Sequence, residues 1–145
     1  MPSTYTITFE TSGKTTAAPE VVDGLYRDAA TWSQWDPGME SVEFDGPFEA
    51  GMTGRFTPVG GEPFPYTMVF AEPGRGHVDE FPLDGAVLQV SHRLEPLADG
   101  GTRIVHGASL SGPKALEIAP GLMPDVCDEM PETVARLARV AESRA

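Results

Sequence analysis

Three histidines and one aspartate hold most of the chemistry this sequence can offer: His77, Asp79, His92 and His106. All four fall in segments that alternate apolar and polar residues with period 2, the mark of strands with one buried face. Between two of those segments, Asp84-Gly85 fits a two-residue hairpin loop. That loop pairs Leu83 with Ala86, Phe81 with Leu88, Asp79 with Val90 and His77 with His92. Asp79 and His92 then become diagonal neighbours on one face, within reach of a hydrogen bond. A carboxylate orienting an imidazole in apolar surroundings is a general-base arrangement whose pKa burial can tune. The plainer reading is a satisfied polar pair, or groups at a rim touching water. His92 and Asp79 are the candidate catalytic residues. His106 is a candidate ligand contact, and pairing Pro96 with Thr102 sets it opposite His92, although the loop 96–101 leaves that register open.

Other chemistries find less support. Three histidines and Asp79 could hold a metal on paper, but no H-x-H or H-E-x-x-H spacing is present and His77 falls near a strand end. No metal and no other cofactor is therefore expected. Cys127, the single cysteine, has no partner motif and lies beside an apolar stripe, which reads as an inert buried thiol. Gly60-Gly61 and Gly100-Gly101 are turns, because no helix N-terminus follows them as a phosphate loop requires. There is no G-x-S-x-G elbow.

The elements that must position these residues are legible in the patterning. Tyr5, Ile7 and Phe9 alternate with polar residues in a first strand. Pro19 opens a helix with Val21, Val22, Leu25 and Tyr26 on one face, and 29–35 forms a second short helix stopped by Asp36-Pro37-Gly38. Six strands follow, at about 39–46, 52–58, 64–72, 75–82, 85–95 and 102–111, separated by turn residues. Pro73-Gly74 centres one hairpin so that Met68 opposes Asp79 and Phe70 opposes His77. One face then carries Tyr66, Met68, Phe70, Phe81, Leu88, Val90 and Leu94. From Pro113 onward apolar residues recur in steps of three and four, including Met123, Met130, Val134 and Leu137. That stripe predicts a long C-terminal helix, kinked at Pro131, which removes a backbone hydrogen bond. The order predicts an α+β protein: a seven-stranded curved antiparallel sheet around the C-terminal helix, with two short helices after strand 1.

A curved sheet, a kinked helix and bulky side chains leave room for a cavity between them. Its expected lining is Tyr66, Met68, Phe70, Phe81, Leu88 and Val90 from the sheet, with Met123 and Met130 from the helix. Trp35 either closes the junction of the short helices with the sheet or offers its indole N–H at the cavity mouth. Tyr66 is the inner-face hydroxyl best placed to orient a ligand.

Composition narrows the partners. With 145 residues, residues 1–145 are expected to form a single domain. Ten basic against 22 acidic residues give a net charge of −12, a field that opposes nucleic acids and anionic lipid surfaces. No apolar run is long enough for an integral membrane segment and no secretory signal is visible, so a cytoplasmic location is expected.

The chain resembles the START-like, or SRPBCC, superfamily. The resemblance rests on Ala18-Pro19-Glu20, Trp32-Ser33-Gln34-Trp35-Asp36-Pro37, Glu72-Pro73-Gly74-Arg75, His92-Arg93-Leu94-Glu95-Pro96, Gly100-Gly101-Thr102-Arg103 and Ser111-Gly112-Pro113. Within it, the chain is most similar to the polyketide cyclase/dehydrase and lipid transport group. The resemblance implies the helix-grip fold and a START-like ligand-binding domain with a hydrophobic cavity. It implies an apolar or aromatic small-molecule ligand, such as a lipid or polyketide. The leading expectation is a binding protein for such a ligand. The alternatives are a cyclase/dehydratase using His92 and Asp79 as an acid–base pair, and a protein-interaction module without ligand chemistry. The sequence does not set the oligomeric state.

Overall fold

A computed structural model describes residues 5–144. Strand β1 (Tyr5–Thr15) leads into helix α1 (Pro19–Arg27), then a 3-10 turn (Ala29–Thr31) that runs into the one-turn helix α2 (Trp32–Trp35). Six strands follow: β2 (Met39–Phe44), β3 (Thr53–Pro58), β4 (Phe64–Glu72), β5 (Gly76–Leu83), β6 (Ala86–Pro96) and β7 (Thr102–Gly112). The chain ends in two helical segments, α3 (Ala115–Cys127) and α4 (Met130–Arg144). The strands form one antiparallel sheet in the order β1-β7-β6-β5-β4-β3-β2, so β1 and β2 are its edges. The α+β architecture expected from the patterning is the one observed.

The β5–β6 hairpin has the expected register, and the β6–β7 register, open in the sequence, is the one that pairs Pro96 with Thr102. Leu83 pairs with Ala86 and His77 with His92 across β5 and β6; His92 pairs with His106 across β6 and β7. Partners in an antiparallel pair share a face, so the three histidines form one row across three adjacent strands. Gly76, at φ +124°, lets this part of the sheet close, because a Cβ there would collide with the His92 carbonyl.

Two expectations are corrected. Met68 does oppose Asp79, but a bulge at Val69 makes Phe70 oppose Val78 instead of His77. One extra residue turns every later side chain to the other face, so Phe70 leaves the inner face and is 45% exposed. The C-terminal helix bends before Pro131 and not at it. The break falls at residues 128–129, and Pro131 occupies the first turn of α4, where its missing N–H breaks no helical hydrogen bond. The prolines inside a helix are Pro120 and Pro124, both in α3.

The core has two parts. The larger lies where α1, α2 and α4 meet the inner face, and its most buried members include Val22, Tyr26, Trp35, Ile104 and Leu137. Gly13 on β1 allows α4 to sit close, since a Cβ there would come within 2.8 Å of Val134. The smaller part joins Leu88, Ala108 and Leu110 to Ala115, Cys127 and Met130. Beside it Ile118, Leu122, Met123 and Val126 of α3 are only partly buried, and Leu116 is exposed. The α3 segment is thus a more loosely seated wall than α4. Among the described residues, no helix is long and apolar enough to cross a membrane.

Candidate functional site

The histidine row is buried at the centre of the sheet's inner face. His77, His92 and His106 are 1%, 7% and 3% exposed, and Asp79 is 4% exposed. The His77 and His92 rings stack with centroids 4.1 Å apart and planes 8° from parallel; His106 meets His92 edge-on at 4.7 Å. Helix α1 supplies the roof. Tyr26 presents its ring edge-on to His77 at 4.9 Å and to His92 at 5.5 Å, and its hydroxyl lies 2.8 Å from His106 Nε2. Trp32 locks this roof by donating its indole N–H to the Tyr26 carbonyl at 2.9 Å. Thr31 adds a hydroxyl bond to the Leu25 carbonyl at 2.7 Å.

Burial decides the charges. It pushes the His77 pKa down to about 3 and holds those of His92 and His106 well below the usual imidazole value. The same desolvation raises the Asp79 carboxyl to about 8. His77 Nε2 and Asp79 Oδ2 are 3.6 Å apart, within ion-pair distance. At neutral pH, however, this contact joins a neutral imidazole to a largely protonated carboxyl. Tyr66, on β4, is likewise held above its ordinary value by burial and then by Asp79.

Polar atoms in this region lack partners. Trp35 Nε1, Tyr66 Oη, Asp79 Oδ1, His92 Nδ1 and both His77 ring nitrogens are shielded from solvent without a hydrogen bond. Buried polar groups are nearly always paired, so this concentration marks the inner face as the candidate site.

The structure brings most of the expected residues together. His92, Asp79, His106, Tyr66, Met68 and Leu88 are buried on the inner face, and Trp35 is 1% exposed beneath α4. Phe81 and Val90 are half-buried and Phe81 reaches both parts of the core, with its ring 5.4 Å from that of Tyr66. Met130 is buried and Met123 half-buried against the smaller core. Phe70 stands apart, on the outer face. The expected Asp79–His92 hydrogen bond gives way to the Asp79–His77 contact. Sequence reasoning passed over Tyr26, whose helical spacing with Val22 and Leu25 marked it only as core. In this conformation Tyr26, Trp32, Trp35 and Leu137 fill the space beneath α4. Two open depressions of about 300 and 360 Å³ lie elsewhere, one between β1 and α4 and one in the segment 45–53. Cys127 is a free, buried thiol whose pKa is raised by burial and by Asp128.

The fold has many solved relatives. Norcoclaurine synthase from Thalictrum flavum, in complex with dopamine and hydroxybenzaldehyde, matches with a TM-score of 0.73 at 13% identity, covering 99% of this chain and 90% of that one. Ara h 8.0201 matches with a TM-score of 0.73 at 15% identity, over 96% and 99% of the two chains. The di-domain ARO/CYC BexL from the BE-7585A biosynthetic pathway gives a TM-score of 0.75 at 17% identity; 97% of this chain covers 51% of that one. At such identities these likenesses show the fold alone. No curated protein matched the sequence. The family model described as "Polyketide cyclase / dehydrase and lipid transport" matches residues 6–142. That match spans nearly the whole chain, and the protein belongs to this SRPBCC-type family.

Proposed function

We propose that the protein binds an apolar or aromatic small molecule, lipid-like or polyketide-like, between the inner face of the sheet and α3. One observation carries the reading: the Tyr66 hydroxyl is buried without a partner, its ring 5.4 Å from that of Phe81, and Phe81, Met123 and Val126 are only partly buried against the smaller core. A pocket for such a ligand needs mostly apolar walls and a few placed polar groups. Phe81, Val90, Met123 and Val126 supply the walls; Tyr66 supplies the polar group. The filled space beneath α4 directs entry to α3. With Pro120 and Pro124 in its interior, α3 lacks backbone donors that would hold its turns. It can lift at lower cost than α4. The norcoclaurine synthase and ARO/CYC relatives accord with small-molecule chemistry on this fold, which hosts more than one function.

The test is native mass spectrometry of protein purified from its own host, followed by titration of the emptied protein with a fluorescent apolar probe. A co-purifying apolar mass and saturable probe binding weakened by Met123→Glu are expected. No co-purifying mass together with no saturable binding sinks the reading.

A second reading is favoured by the Asp79 carboxyl, which burial keeps largely protonated at neutral pH. Such a group is a general acid, and with His77 and His92 beside it the site has the parts for cyclisation or dehydration of a polyketide-like substrate. Turnover unchanged by His92→Ala and by Asp79→Asn, once a substrate is found, rules this out.

A further inference from the structure

Four ligand-type atoms in the histidine row are explained neither by hydrogen bonding nor by packing. His77 Nδ1 and Nε2, His92 Nδ1 and Asp79 Oδ1 are shielded from solvent and have no hydrogen-bond partner. One donor atom from each of these three residues lies within 4.8 Å of the other two. Each bare polar group has lost its water without replacement, and several in one place call for an occupant. The set has a clear boundary. His106, next in the row, is satisfied by the Tyr26 hydroxyl.

We propose that His77, Asp79 and His92 form a binding site for a divalent first-row transition ion, with Zn²⁺ as the reference ion. Two imidazoles and a carboxylate are a donor set such ions take, and a three-residue set leaves a position for water or a ligand oxygen. The inference goes beyond the apolar-ligand reading and does not rest on it. Asp79 and His92 stand on strand interiors, and His77 is the second residue of β5. His77 and Asp79 share the inner face of β5, and His92 lies directly opposite His77 on β6. An ion about 2.1 Å from each donor needs donors about 3.4 Å apart in tetrahedral geometry. His77 Nε2 and Asp79 Oδ2 are already at 3.6 Å. His92 is the donor that moves: stacked rings point their lone pairs along parallel lines, so coordination turns the His92 ring out of the stack. Tyr26 and Trp32, edge-on or tilted to both imidazoles, wall the site from water. The spacing of these residues along the chain hid the site, because a hairpin and not a local motif brings them together.

Protein dialysed against EDTA is titrated with Zn²⁺ by calorimetry and with Co²⁺ by visible absorption, and its melting is followed with and without Zn²⁺. One equivalent bound, d–d bands of a nitrogen–oxygen ligand field and a higher Tm with Zn²⁺ are expected. His77→Gln, Asp79→Asn and His92→Gln should each weaken binding by about tenfold or more. Should a variant fail to fold, the Co²⁺ spectrum and Tm shift of the unaltered protein still decide. No uptake of either ion, or uptake that folded variants leave unchanged, overturns the site; the groups then hold water or nothing. The apolar probe is titrated into the same samples. Loss of probe binding with metal binding intact counts against the small-molecule reading alone.

Discussion

Within the histidine row, one contact ties the roof to the sheet: the Tyr26 hydroxyl on His106. Removing it with Tyr26→Phe leaves an imidazole nitrogen bare at a position 3% exposed. The cost is that of an unsatisfied buried group, about 1–3 kcal/mol, and urea denaturation of the variant should show it as a lower midpoint with an unchanged m-value. A residue outside the row gives a pH-dependent counterpart. Asp36, where α2 ends, has its pKa raised from 3.8 to about 6 by burial and by the nearby Glu129, partly offset by the Gly38 N–H it accepts. A carboxyl whose folded pKa lies above its unfolded one destabilises the fold when ionised. The burden is absent below the unfolded value, grows as pH rises from about 4 to about 6, and is complete above. Asp36→Asn keeps the acceptor for Gly38 and removes the charge. It should stabilise the protein by about 1–3 kcal/mol near pH 7 and by almost nothing near pH 4, read from thermal melts at the two pH values. Equal gains at both would assign the effect to packing.

Among the elements, α3 and α4 differ in how they are held. Val134, Leu137 and Ala141 of α4 are at most 2% exposed, whereas in α3 only Ala115 and Cys127 are buried. Local opening follows such differences in covered apolar surface and protected hydrogen bonds. Hydrogen exchange should therefore be faster in 115–127 than in 130–144, and a bound apolar ligand should slow α3 selectively. Uniform protection of both segments would remove α3 as the moving wall. The sequence made the strands, their order and the His77–His92 register legible, because turn residues such as Asp84-Gly85 set pairing once alternation sets the faces; the longer loop 96–101 left the His92–His106 register open. The bulge at Val69 was hidden: Tyr66, Met68 and Phe70 keep an unbroken period of 2, and only the partner strand reveals the extra residue. The helix break was misplaced for a related reason. Pro131 is equally compatible with a kinked interior and with a first turn, and tertiary packing chooses. The candidate site was half legible. Faces and registers named His92, Asp79 and His106, while Tyr26 and the Asp79–His77 contact depend on how α1 lies across the sheet, which no periodicity encodes.

Across the whole molecule, charge limits what can be bound. The net charge is −12, and the cations are largely engaged at the surface: Arg55 with Glu43 and Asp45, Arg93 with Glu10 and Glu95, Arg136 and Arg139 with Glu132. Among the described residues no lysine or arginine is buried, and the buried histidines are held neutral. A ligand carboxylate would enter the inner face against the overall field and meet no cation there to offset its desolvation. A neutral ligand suffers neither penalty. For two ligands of one aromatic skeleton, the methyl ester or amide should bind about tenfold or more tightly than the free acid at neutral pH, a difference of about 1.4 kcal/mol. Added salt should narrow the gap by screening the long-range part, and leave the remainder set by desolvation. Calorimetric titration of both ligands at low and high salt reads the two parts separately. An acid that binds as tightly as its ester in low salt would mean that a cation reaches the inner face when α3 lifts, with Arg27 a candidate, since it stacks over Phe48 at 5.0 Å and Phe48 meets the His77 ring.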